Sequence, residues 1–175
     1  KDCKTDRRVS LYGDFNLWWV MNDKGNIHTE SGGEPIGMEI RAQAFAFATN
    51  DDINNMTFYN YELINRGTQT LFDTYFGIFI DGALGNPFDD YVGCDVNRGL
   101  GYYYNGDNVD SENSGYKGYG TSPPAVGVDF FEGPYQDDDG LDNAFGIGYN
   151  EALNGIGYGD GIVDNERFGM RRFLY

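Results

Sequence analysis

The stretch Met38-Glu39-Ile40-Arg41-Ala42-Gln43-Ala44 decides the fold class, because its apolar and polar residues alternate with period two. Successive side chains of an extended chain point to opposite faces, so this pattern predicts a strand with one buried face. The continuation Phe45-Ala46-Phe47-Ala48 is apolar on both sides, which predicts that the strand passes into a doubly covered region. Downstream, Met56–Ile64 reads as a second strand and, after the turn-like Asn65-Arg66-Gly67-Thr68, Tyr75–Ile80 as a third. Upstream, Phe15–Val20 reads as another, turned by Asn22-Asp23-Lys24-Gly25. No segment carries apolar residues at i, i+3, i+4 and i+7 over three turns, so little helix is expected. Strands at this spacing predict an all-β, antiparallel β-sandwich.

From residue 81 the character changes. Short apolar stretches are separated by acidic, glycine-rich loops at Asp89-Asp90, Asn105-Gly106-Asp107, Asp137-Asp138-Asp139-Gly140 and Gly159-Asp160-Gly161. Long structureless loops are uncommon unless functional or disordered, and the interleaved Tyr102, Tyr103, Tyr104, Tyr116 and Tyr119 imply that something organises them. With neither a linker nor a clear internal repeat, 175 residues read as one domain, strand-rich over 9–80 and loop-rich over 81–175, or as a fragment of a larger precursor. The opening Lys1-Asp2-Cys3 lacks a Met and the apolar stretch of a signal peptide, as expected of a mature or excised piece.

The net charge of −16 argues against a basic surface for nucleic acid or an anionic membrane, and no apolar run is long enough to span a bilayer. So many carboxylates repel one another unless they scatter into water or hold cations. Calcium takes six to eight oxygens from carboxylates, amide carbonyls and backbone in flexible geometry, which suits acidic loops rich in Gly and Asn. The first expected site is Asp81, Asp89, Asp90 and Asp95, converging at one end of a sheet; the competing reading is a solvated loop whose aspartates cap turns. Further clusters are Asn105, Asp107, Asp110 and Glu112; Asp137, Asp138, Asp139 and Asp142; and Asp160, Asp164 and Glu166. None is an EF-hand. With Asp137 and Asp139 at positions one and three, Leu141 takes position five; with Asp160-Gly161 at five and six, Ile156 takes position one and Arg167 position twelve.

Tests for catalysis point the other way. His28 is the single histidine and lies in a polar turn, and no G-x-S-x-G or phosphate-cradling loop is present. Cys3 and Cys94 read either as one disulfide tying the N-terminal segment to the body or as two unrelated thiols; the bridge is the expectation for an extracellular chain. One chemistry stays open: paired carboxylates with sugar-stacking aromatics can bind or hydrolyse glycans, the alternative to a non-catalytic module.

The runs 81–95 (DGALGNPFDDYVGCD), 122–134 (SPPAVGVDFFEGP) and 154–173 (NGIGYGDGIVDNERFGMRRF) resemble large secreted Bacteroidetes proteins that commonly end in a type IX secretion sorting domain. The resemblance covers most of residues 15–175 and assigns no catalytic residue. It implies export and display on, or release from, the cell surface, with this chain one part of a larger protein. The expectation is a structural or adhesive module stabilised by calcium, with partners in the rest of its precursor, other surface proteins or glycans.

Overall fold

Alternation does build the first sheet. In the computed structural model, which describes residues 10–136, 138–143, 155–170 and 172–175, β1 (Phe15–Asn22), β2 (Met38–Ala46) and β3 (Thr57–Asn65) form an antiparallel sheet in that order. The register sets Leu17 opposite Ala44 and Ala44 opposite Tyr59, then Trp19 opposite Ala42 and Ala42 opposite Tyr61. Paired residues share a face, so one face carries Phe15, Leu17, Trp19, Ala42, Ala44, Tyr59 and Tyr61, apolar between Thr57 and Asn65 at its ends. The other carries the Arg41–Glu39 and Arg41–Glu62 ion pairs at 2.9 and 3.1 Å. At its far end Phe45 stacks on its cross-strand partner Phe58 with centroids 5.3 Å apart, and Phe47 meets both rings edge-on. Phe45, Ala46 and Phe47 are half-buried and Ala48 is exposed, so the double covering expected here is not formed.

The β1–β2 connection is long, and Asp23 clamps it. Its carboxylate accepts the backbone N–H groups of Ile36, Gly37 and Met38 at 2.6, 3.1 and 3.0 Å. Burial pushes this carboxyl up, yet the three donors together outweigh burial and hold its pKa below the ordinary value. A depressed native pKa contributes stability above the unfolded value of about 3.9 and loses it as pH falls through the lower native one. Wild-type protein is therefore expected to melt above Asp23→Asn at pH 7, with the gap closing below about pH 4. Melting curves across that range check it, and a gap independent of pH would contradict the clamp.

The chain divides into two compact units, 1–76 and 77–175, close to the change of character at residue 81. The second unit holds β4 (Asp90–Asp95), β5 (Leu100–Asn105) and β8 (Ala125–Asp129) in an antiparallel sheet of order β4-β5-β8. A small two-stranded ribbon pairs β6 (Val109–Asp110) with β7 (Gly120–Thr121). The fold is thus all-β and antiparallel, and its only helices among the described residues are 3-10 turns at Asp52–Asn55 and Val96–Arg98. No helix among the described residues is long and apolar enough to cross a membrane.

Two sequence expectations change. Tyr75–Ile80 is irregular and exposed, because among the described residues no neighbouring strand takes up its backbone groups. Conversely, Asp90, Tyr102, Tyr103, Tyr104 and Asn105 lie on strands, so the sheet itself organises these three tyrosines. Tyr91 stacks on its partner Tyr104, and Tyr104 meets Tyr102 with centroids 6.0 Å apart.

Candidate functional site

The β4–β5 register pairs Asp90 with Asn105, placing both side chains on one face at the end of the sheet. Asp90 accepts the Leu84 N–H at 2.8 Å through Oδ2, and Asn105 donates Nδ2–H to the Asp107 carbonyl at 3.1 Å. Their remaining oxygens, Asp90 Oδ1 and Asn105 Oδ1, are buried with no hydrogen-bond partner, as is Oδ1 of the adjoining Asp89. Asn105 is only 6 % exposed. Each such oxygen costs about 1–3 kcal/mol when nothing compensates it. Beside them opens a cleft of about 360 Å³ lined by Asn86, Phe88, Asp89, Asp107, Val109 and Glu112 among others.

Asp110 stands behind this cleft, 1 % exposed, and its role is internal. Its carboxylate accepts the N–H of Asn86 at 3.2 Å and of Tyr119 at 2.7 Å, stapling residues 86 and 119 to β6. Gly85 and Gly118 make room for it: a Cβ on Gly85 would lie 2.0 Å from Asp110 Oδ2, and one on Gly118 2.1 Å from the Asp110 carbonyl oxygen.

Of the four aspartates expected together, Asp89 and Asp90 stay adjacent whereas Asp81 and Asp95 lie apart. Asp95 sits at the opposite end of β4 from Asp90, five residues or about 17 Å along the strand, and pairs with Arg98 at 3.5 Å. Asp81 is exposed on an irregular segment. Asp107 caps its own turn by accepting the Val109 N–H at 2.7 Å, and Glu112 is exposed at the rim. Asn105 and Asp107 thus join Asp89 and Asp90, whereas Asp81 and Asp95 do not.

The third and fourth acidic clusters, by contrast, are one. Gly140 donates its N–H to Asp164 at 2.8 Å, Gly161 donates to Asp142 at 2.6 Å, and Asn143 donates to Glu166 at 2.8 Å. Within each segment the leading aspartate closes a turn, Asp139 onto Leu141 N–H and Asp160 onto Ile162 N–H, both at 2.8 Å. Glu166 is 1 % exposed, and its Oε2 has no partner. Asn165 donates to Asp160 at 2.9 Å, while its own Oδ1 is buried and unpartnered. Sequence reasoning missed Asn86 and Asn165; the signal for Asn165 is the near-repeat of Asp139-Gly-Leu-Asp-Asn143 in Asp160-Gly-Ile-Val-Asp-Asn165. Asp137 and Cys3 lie outside the described residues.

Cys94 lies half-buried on β4 opposite Gly101, and no disulfide occurs among the described residues. His28 is half-buried, its Nδ1 lying 3.1 Å from the Gly33 carbonyl, a contact that shapes its loop. Among the described residues no three Asp, Glu, His or Cys side chains converge on a point suited to a metal, so any cation here must also draw on amide and backbone oxygens. Compared with known proteins, the chain matches no family model, no curated protein and no solved structure.

Proposed function

We propose that this chain is a non-catalytic structural or adhesive module of a secreted or cell-surface protein, held in shape by calcium at Asp89, Asp90 and Asn105. The observation that carries the reading is the set of three buried oxygens without donors at the end of the β4–β5 hairpin. Two of them face the same side from directly paired positions, where two carbonyl-type oxygens repel unless something positive lies between them. A flexible site of mixed carboxylate and amide oxygens favours calcium over magnesium, which demands a tight octahedron. The apolar face of the first sheet, with Phe15, Leu17 and Tyr59 each more than half exposed, supports a module that packs against other protein surfaces. Surface location rests on the resemblance drawn from 81–95, 122–134 and 154–173.

Calorimetric titration of metal-stripped protein tests the site. Calcium is expected to bind and magnesium to bind more weakly, with Asp90→Ala and Asn105→Ala each reducing calcium affinity at least tenfold. Absence of calcium binding by folded wild-type protein would end the proposal.

A Cys3–Cys94 bridge belongs to the same extracellular reading. It would close a loop of roughly ninety residues, worth about 4–5 kcal/mol in the chain-entropy model. Intact mass after alkylation is expected to show two modified thiols only once reductant has been added; two modified without it would remove the bridge.

A further inference from the structure

The near-repeated segments 139–143 and 160–165 face one another with reciprocal bonds: the glycine after each leading aspartate donates to the second aspartate of the other segment. Glu166 follows directly, receives the Asn143 N–H on Oε1, and so lies across the junction of the two segments. Its other oxygen is what the pairing leaves unexplained. Oε2 belongs to a side chain only 1 % exposed and meets no donor. The neighbouring guanidinium is engaged elsewhere: Arg167 binds Glu132 at 2.8 Å and the Gly133 carbonyl at 3.0 Å, and lies 3.9 Å from the Tyr135 ring centre. Among the described residues no ion pair reaches Glu166. A buried carboxylate without a counter-charge is costly, and a cation is the partner that Asp142 and Asp164, which accept the two cross-segment glycine N–H groups, also suit.

We infer that Glu166, with Asp142 and Asp164, forms a second calcium site, separate from Asp89, Asp90 and Asn105, that clasps the two Asp-Gly segments together. The inference rests on reading the chain as a calcium-binding module but uses none of the first site's residues. The three carboxylates do not converge on one point in this structure, so the ion draws the two segments inward, with loop carbonyls and water completing its six to eight oxygens.

Calcium titration of the full chain decides it, with folding of each variant checked by circular dichroism. Wild type is expected to take two ions. Glu166→Gln keeps an acceptor for Asn143 and should lose one ion, or weaken it at least tenfold, while Asp90→Ala loses the other. Asp164→Asn, at a half-buried position, should weaken the same ion as Glu166→Gln and decides the matter if Glu166→Gln does not fold. Two ions bound by Glu166→Gln or by Asp164→Asn at wild-type affinity would overturn the second site. A single ion lost only with Asp90→Ala would overturn it too, leaving the first site standing. A single ion lost only with Glu166→Gln would support the second site and remove the first, and no binding at all would overturn both.

Discussion

Gly118→Ala is expected to destabilise the second unit by about 3 kcal/mol or more, one of the largest single-residue effects in the chain. The new methyl carbon would sit 2.1 Å from the Asp110 carbonyl oxygen and 2.5 Å from Oδ1, and neither atom can retreat cheaply. The carbonyl belongs to the β6 backbone, and the carboxylate is fixed by the N–H groups of Asn86 and Tyr119. Asp110→Ala attacks the same node from the other side. It strands two backbone N–H groups, at about 1–3 kcal/mol each where they stay dry. Against a typical domain stability of about 5–15 kcal/mol, either change consumes a large share. Urea unfolding of the two variants checks the prediction, and a midpoint within error of wild type for Gly118→Ala would show that β6 and residue 118 are free to part.

Much of the first unit is legible in its sequence because its strands alternate. β1, β2 and β3 begin and end within two residues of the apolar–polar pattern at Phe15, Met38 and Met56. The same pattern misleads at Tyr75–Ile80, since period two states which faces a strand would show but not whether a partner backbone is present. In the second unit local composition misleads the other way. Asp89-Asp90 and Asn105 look like loop residues, yet cross-strand pairing, which composition does not encode, puts Asp90 and Asn105 on strands.

The candidate sites show the same division between what is local and what is not. Acidic clusters are visible in the sequence, but which carboxylates are already satisfied is not. Asp110 looks like a ligand beside Asn105 and Asp107, whereas its donors come from 24 residues earlier and nine later. Asp95 is near Asp90 in sequence and a strand's length away in space. The clusters at 138–142 and 160–166 look separate until Gly140, Asn143 and Gly161 bond across the gap. Residual lone pairs, on Asp89, Asp90, Asn105 and Glu166, exist only as the remainder after the folded chain's bonds are counted, from the local Asn105–Asp107 contact to the Asn143–Glu166 bond 23 residues apart.

Removal of calcium is expected to produce the other large effect. A ligand that binds only the folded state adds about 2.7 kcal/mol at a hundredfold excess over its dissociation constant. For a unit of residues 77–175, each kcal/mol moves the melting midpoint by about 4–8 °C, so one occupied site corresponds to a shift of about 10 °C or more. Without the ion, the oxygens of Asp89, Asp90 and Asn105 stay buried and undonated, and the hairpin end they anchor should open first. The first unit contains none of these residues. Thermal unfolding of protein verified as metal-free, with calcium and then with excess chelator, is therefore the direct test. A midpoint about 10 °C or more lower in chelator is expected, with a calcium response smaller by one site's share in Asp90→Ala and Asn105→Ala. Superimposable wild-type curves in calcium and in chelator would contradict it.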